Sequence, residues 1–344
     1  MEAAKPLGRK DDAGGQMQSN ESLFASIVDE HGRLIDGAVR LREPIYKGRN
    51  GKYVERVVVT AGDRLLHAIF KPLTNEGSVG KEVWAYRHLL PHLPSIRYPK
   101  LLAAADHHEP QRYWLLYEDL GELIHSFDVS VLAAAARSIP AWHTLPIERA
   151  PTELEGHTPK LSDGVQRMLL GEDRGAFVRL LSEHGVTNAE IQYFFGVHVR
   201  RDPESYSRET VVSHGDLNPL NIAVADDGLI FLDWEYVHRN SVFWDLYNVM
   251  DITSPSYRRP VLDRASRLSV LNAYVEGRER YGKPISDIAC FIRDYYSYCL
   301  SYSAWLLLLI DRDLKVGRFN REALQRQHEE TAAILLHMLH ELAE

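Results

Sequence analysis

The chain has 344 residues, 45% of them hydrophobic and 26% charged, which is the composition of a soluble globular protein with material for about two domains or lobes. A formal net charge of -8 disfavours a nucleic-acid partner and is mildly compatible with a cationic one. Only two cysteines occur, Cys290 and Cys299, on one stretch and without a metal-binding spacing; this excludes a disulfide scaffold and fits a reducing, cytoplasmic compartment.

Residues 1–20 are polar and glycine-containing, lack the apolar core of a signal peptide, and read as a mobile tail. Residues 21–120 form a first region rich in β-type runs. Tyr46 to Tyr53, with Gly48 and Gly51, lies between two candidate strands and reads either as a backbone-amide cradle for phosphates or as an ordinary Asn-Gly turn. Runs at 56–60 and 65–70 flank Ala61-Gly62-Asp63-Arg64, a hairpin signal, and Lys71 ends the second run. Val83, Tyr86, Leu89 and Leu90 recur at helical spacing and predict a helix over 79–90 with Glu82 in its first turn. Two more strands are expected over 98–105 and 113–117, leading into the polar crossover Glu118-Asp119-Leu120-Gly121.

Residues 121–344 read as mainly helical. A helix starts over 131–136, and Pro140 kinks or ends it. Thr187-Asn188-Ala189-Glu190 is a capping box opening a helix through about Val199. Further helices are predicted over 261–281, 285–314 and 321–342. Tyr295, Tyr298, Tyr302 and Trp305 recur at three- and four-residue spacing, as a core stripe or a pocket wall would. The apolar run 304–310 is bounded by charges at Arg293, Asp294, Asp311 and Arg312. It falls short of the roughly 20 apolar residues that span a membrane, and reads as a buried helix.

Between these helices lies His214-Gly215-Asp216-Leu217-Asn218-Pro219-Leu220-Asn221, followed by a short apolar run, the hairpin signal Asp226-Asp227-Gly228, and a return run that ends at Asp233. A hairpin of this length folds Asp233 back beside Asn221, with Asp216 on the loop before the first strand. Two oxygen ligands then face one carboxylate, and phosphoryl transfer asks for that positioning and charge neutralisation. Magnesium takes one or two oxygen ligands from a protein, a role that suits Asn221 and Asp233. Asp216 is placed to accept a proton from an acceptor hydroxyl. A strand lysine held by a helix glutamate, positioning the α- and β-phosphates, is the upstream half of the same template, with Lys71 and Glu82 as the pair. Taken singly, Asp and Asn are also ordinary turn formers, and Lys71 and Glu82 also fit a solvated surface pair.

These residues together resemble the aminoglycoside phosphotransferase and choline kinase family, in HGDLNPLN, FLDWEY, Trp244-Asp245-Leu246, Phe70-Lys71, Lys81-Glu82, Leu115 to Gly121 and Ala141-Trp142-His143-Thr144-Leu145-Pro146. The resemblance implies an α+β, bilobal protein-kinase-like fold, with a small antiparallel β-sheet lobe carrying one helix and a larger, mainly helical lobe. It implies Asp216 as catalytic base, Asn221 and Asp233 as Mg2+ ligands, and Lys71 as the ATP phosphate lysine. Backbone groups around Glu118 and Leu120 would meet adenine. Asp245 would brace the catalytic loop, and His214 and His143 would pack or hydrogen-bond. The acceptor pocket would be walled by segments near 160–200 and 290–310; Glu235, just after the Leu232-Asp233-Trp234 tripeptide, and Asp294 are candidate acceptor contacts.

The expected activity is an ATP- and magnesium-dependent transfer to a hydroxyl of a small molecule: aminoglycoside-like, amino alcohol or sugar-like. A nucleotide-binding pseudokinase is the alternative from another class, opposed by intact candidates at all five positions. A protein kinase is the third reading. Only eleven residues separate Asp233 from Asp245, and no Ala-Pro-Glu follows, which leaves little room for a peptide-docking segment.

Overall fold

The computed structural model describes residues 27–48, 50–61, 64–154, 171, 173–200, 209–317 and 319–343. The tail reading of 1–20, the centre of the Gly62-Asp63 turn, and residues 160–170 and 172 of the expected pocket segment near 160–200 lie outside the described residues. The chain is α+β and divides into two compact units, one of residues 1–87 with 98–122 and the other of 88–97 with 123–344.

The first unit is built on a five-stranded antiparallel sheet, in the order β1 (Val39–Lys47), β2 (Tyr53–Ala61), β3 (Arg64–Pro72), β5 (Trp114–Glu118), β4 (Leu101–Ala104). Period-2 alternation sets its faces. Val57 and Val59 of β2 and Ala68 and Phe70 of β3 are buried, and pack in one cluster with Ile27, Val28, Leu34 and Leu116. Lys71 follows Phe70 and therefore points to the opposite face. Edge strand β1 is largely exposed and carries Arg40, Arg42, Glu43 and Pro44, features that discourage edge-to-edge pairing.

The helix expected over 79–90 is a composite. Gly80, at φ +76°, precedes one α-turn, α1 (Lys81–Trp84); a π-turn follows over Ala85–Leu89 and a 3-10 turn over Leu90–His92. Pro91 has no N–H to continue an α ladder, so the segment changes hydrogen-bond register instead of extending. The strand expected over 98–105 shortens to β4 because Pro99 has no ladder donor.

The second unit holds α2 (Val129–Ser138), α3 (Pro140–His143), α4 (Arg174–Glu183), α5 (Asn188–Arg200), α6 (Trp244–Met250), α7 (Arg264–Arg280), α8 (Ile288–Val316) and α9 (Arg321–Ala343). Pro140 ends α2 and takes the first position of α3, where its missing N–H costs nothing. The capping box forms as read: Glu190 N donates to Thr187 Oγ1 at 3.3 Å and Thr187 N to Glu190 Oε2 at 2.8 Å. Asp263 and Asp287 cap α7 and α8 through Ser266 N and Cys290 N. Of the aromatic stripe on α8, Tyr295, Tyr298 and Tyr302 are buried and Trp305 is partly exposed, so the first three are core. Among the described residues no helix is long and apolar enough to cross a membrane.

Two small antiparallel ladders carry the central segment. β6 (Thr210–Ser213) pairs with β9 (His238–Ser241), and β7 (Ile222–Ala225) pairs with β8 (Gly228–Phe231) across a two-residue turn at Asp226 and Asp227.

Candidate active site

The loop from β6 to β7 begins where Ser213 and His214 are buried and the backbone turns at Gly215, φ +88°. A Cβ at Gly215 would lie 2.0 Å from the Tyr236 carbonyl oxygen, so only glycine passes there. The turn is held by Asp245, on α6. Its carboxylate, fully buried, accepts five hydrogen bonds: from Ser213 Oγ (2.6 Å), His214 N (2.9 Å), Gly215 N (3.1 Å), Trp142 Nε1 (2.8 Å) and His143 Nε2 (3.0 Å). Burial opposes the charge of Asp245, but the bond from His143 and the neighbouring donors overcome it and hold the carboxyl well below the usual carboxylate range.

Both histidines are neutral donors: burial lowers their affinity for a second proton against the pull of Asp245. His214 Nε2 donates to the Leu232 carbonyl at 2.9 Å, tying the loop to the chain leaving β8. His143 accepts at Nδ1 from the Tyr274 hydroxyl at 3.0 Å.

Asp216 follows the glycine. Its Oδ1 accepts from Asn218 Nδ2 at 3.1 Å and its Oδ2 from Asn221 Nδ2 at 3.1 Å; Asn221 Nδ2 also donates to the Asp216 carbonyl at 2.7 Å. Burial and the charge of Asp233 push the Asp216 carboxyl up to about 7, against the two asparagine bonds. A group that titrates there suits proton transfer near neutrality.

Asn221 closes a 3-10 turn, Pro219–Asn221, capped by Asn218, whose Oδ1 accepts from Leu220 N. With its amide nitrogen spent on Asp216, Asn221 keeps Oδ1 for another partner. Leu232 N donates to the Asn221 main-chain carbonyl at 2.9 Å, so the hairpin returns the chain at Asp233 to the neighbourhood of Asn221. Asp233 sits at φ 60°, ψ 62°, the one described non-glycine residue at positive φ, and opens the 3-10 turn Trp234–Tyr236. Strain of this kind costs about 1–3 kcal/mol and collects at functional positions. An amide oxygen and a carboxylate are the hard oxygen donors that magnesium takes.

Glu235, buried in that turn, adds its charge to the field at Asp216. Asp294 is buried on α8, where its Oδ2 accepts from Cys290 Sγ at 3.7 Å. Sequence reasoning had no signal for Asn218 as a partner of Asp216, since it reads as one more turn residue.

In the first unit, Lys71 Nζ and Glu82 Oε2 are 2.7 Å apart, with the two side chains 13% and 4% exposed. This is a mostly buried ion pair, not a solvated one. At the crossover, Glu118 N donates to the Lys100 carbonyl at 3.0 Å. Asp119 accepts from Arg56 Nε and from Gly121 N, both at 2.9 Å, and Arg56 Nη2 reaches the Gly121 carbonyl at 2.7 Å; these bonds fix the path through Leu120. Between β1 and β2, Gly51 N bonds the Gly48 carbonyl and Asn50 Nδ2 donates to the Leu73 carbonyl at 2.6 Å. The segment is thus a tight turn pinned to the chain just past Lys71; Arg49 is outside the described residues.

The sequence pattern described as the phosphotransferase enzyme family matches residues 49–295. No curated protein matches the chain. Among solved structures, it is similar to an aminoglycoside phosphotransferase from Alicyclobacillus acidocaldarius (11% identity, 99% of this chain and 98% of that one covered, TM-score 0.55). It is also similar to a choline kinase from Cryptosporidium parvum (12%, 94% and 94%, 0.52). A third is an amicoumacin kinase in complex with AMP-PNP and Ca2+ (13%, 97% and 100%, 0.51). At these identities the likeness is one of fold.

Proposed function

The chain belongs to the phosphotransferase enzyme family, and from that premise we propose that it moves the γ-phosphoryl group of ATP to a hydroxyl of a small molecule. The observation that carries this reading is the Asp216 carboxylate, held by two asparagine amides and coupled to Asp233, in the loop that Asp245 braces.

Asp216 orients the acceptor hydroxyl and takes its proton as the oxygen bonds to phosphorus and the bond from phosphorus to the ADP oxygen breaks. Asn221 and Asp233 would hold Mg2+, which when bound supplies positive charge to the phosphate oxygens. Lys71, oriented by Glu82, binds the α- and β-phosphates. The Glu118 N–H is engaged by Lys100, so an adenine contact at that residue falls to its carbonyl, with Leu120 supplying the neighbouring backbone group. Glu235 and Asp294 are proposed acceptor contacts; Glu235 carries the stronger case through its electrostatic reach to Asp216.

Several related structures bear names of kinases acting on aminoglycosides, choline, ethanolamine or aminopropanol, which supports an amino-alcohol, aminoglycoside-like or sugar-like acceptor. A protein acceptor fits less well. From Asp233 the chain passes through one 3-10 turn and β9 directly into α6, with no segment to dock a peptide. A cytoplasmic setting belongs to the same reading, and Cys290 and Cys299 form no disulfide among the described residues.

The test is a panel of hydroxyl acceptors with labelled ATP and Mg2+. Transfer that vanishes in Asp216→Ala supports the assignment; an Asp216→Ala protein that transfers at the wild-type rate removes Asp216 from the mechanism. Tight nucleotide binding without turnover on any acceptor would favour the pseudokinase.

A further inference from the structure

Gly215 is the residue on which the position of Asp216 turns, and it is the residue with the least rigidity of its own. The 2.0 Å approach of a would-be Cβ to the Tyr236 carbonyl oxygen rules out a side chain, so the conformation has to be imposed from outside. Its N–H is taken by Asp245 Oδ1 and Ser213 Oγ, both at 3.1 Å. Its carbonyl, which belongs to the peptide joining it to Asp216, accepts from Trp244 Nε1 at 2.8 Å.

An indole N–H only donates, and here its single bond goes to that carbonyl. Trp244 is 4% exposed, and its ring lies against Tyr302 (centroids 5.2 Å) and Tyr247 (5.9 Å), so the donor itself is fixed. The two consecutive residues that open α6 thus hold the two ends of one glycine. Asp245 takes the amide and Trp244 the carbonyl.

We propose that Trp244 is a positioning residue for phosphoryl transfer, its indole N–H locking the Gly215–Asp216 peptide so that the Asp216 carboxylate faces the acceptor hydroxyl. The inference rests on the role of Asp216 given above. Trp244 touches neither substrate nor the reacting atoms and acts through the backbone.

The test replaces Trp244 with 3-benzothienylalanine, which keeps the bicyclic shape and puts sulfur where the N–H was; Trp244→Phe is made in parallel. The expected result is a fall in kcat of about 10-fold or more, with the KM values for ATP and acceptor within about twofold of wild type, since misplacing a catalytic group slows the chemical step. A sulfur isostere that folds and keeps the wild-type kcat overturns the proposal. Indole hydrogen exchange in the wild-type protein gives a second readout that needs no activity. Of six tryptophan N–H signals, the one lost in Trp244→Phe, or in the isostere should the Phe variant not fold, is expected to exchange only on global unfolding. Exchange at the rate of an exposed indole overturns the bond and the proposal with it. If the wild-type protein transfers phosphate to nothing, the functional reading fails by itself, while the exchange measurement still decides whether the lock exists.

Discussion

Replacing Asp216 by Asn should abolish transfer and at the same time raise the stability of the metal-free protein relative to wild type as pH moves from acid to alkaline. The Asp216 carboxyl rises from 3.8 to about 7, because burial and the charge of Asp233 disfavour its ionised form. A raised carboxyl pKa means that the folded state binds the proton more tightly than the unfolded one. The stability this provides is complete below about pH 4 and is lost as pH climbs through 7. A shift of roughly three units at about 1.4 kcal/mol each sets a ceiling near 4 kcal/mol. Asp216 is only partly buried, so solvent screening reduces this to about 1–2 kcal/mol. At pH 5 the protonated acid still presents an acceptor lone pair to each of Asn218 and Asn221, whereas the amide turns its NH2 toward one of those donors, so the Asn variant should melt lower than wild type. At pH 8.5 it escapes the charge penalty and should gain about 2–8 °C on the wild type relative to the difference at pH 5, taking about 2–4 °C per kcal/mol for a unit of this size. Thermal melts of both proteins at the two pH values, without divalent metal, are the assay, with kcat measured in parallel and expected to drop about 100- to 10,000-fold. An unchanged stability difference between pH 5 and 8.5 would refute the claim that Asp216 is held at a cost to folding.

Lys71→Met should remove phosphate transfer and also destabilise the protein by roughly 3 kcal/mol, because Glu82 is left buried without its cation; urea unfolding of Lys71→Met against the double change with Glu82→Gln should show stability returning and activity staying lost. Asp245→Asn deprives five donors of an anion and turns an NH2 group toward some of them. It should cost at least about 3 kcal/mol, read as a lower urea midpoint. Saturating ATP with Mg2+, at about 100 times its Kd, should stabilise the wild-type protein by about 2.7 kcal/mol in a thermal-shift assay. A chelator, or Asp233→Asn, should remove most of that gain, and a full gain in the presence of chelator would exclude Asp233 as a ligand.

What could be read in advance was local. Asp226-Asp227-Gly228 specifies a two-residue turn, and the turn brings the end of β8 back to Asn221 whatever surrounds it. Thr187 and Glu190 cap a helix by themselves. The helix over 79–90 misled because periodicity reports which residues are buried, not which carbonyl each N–H reaches; α-, π- and 3-10 turns all bury one face. What the sequence leaves open is partners reached over long sequence distances or through groups with no motif. His143 reads as a packing or hydrogen-bonding residue and is one, but the carboxylate that it and Trp142 serve lies about a hundred positions away, and Trp244 donates to a backbone carbonyl, which leaves no trace in residue identity.

Asp245 and Asp216 make the physical argument of the site in miniature. Both carboxyls lie in the same loop region, and desolvation pushes both pKa values up. Asp245 receives five donors, two of them from the backbone it braces, and stays an anion; a charge so well satisfied is rigid and chemically inert. Asp216 receives two amide bonds and faces Asp233, so the same burial leaves it with a proton affinity near neutrality. Environments that drive two acids apart in this way are what the proposed roles of Asp245 as brace and Asp216 as base require. The proposal predicts that adding a donor to Asp216 would lower its proton affinity and weaken it as a base.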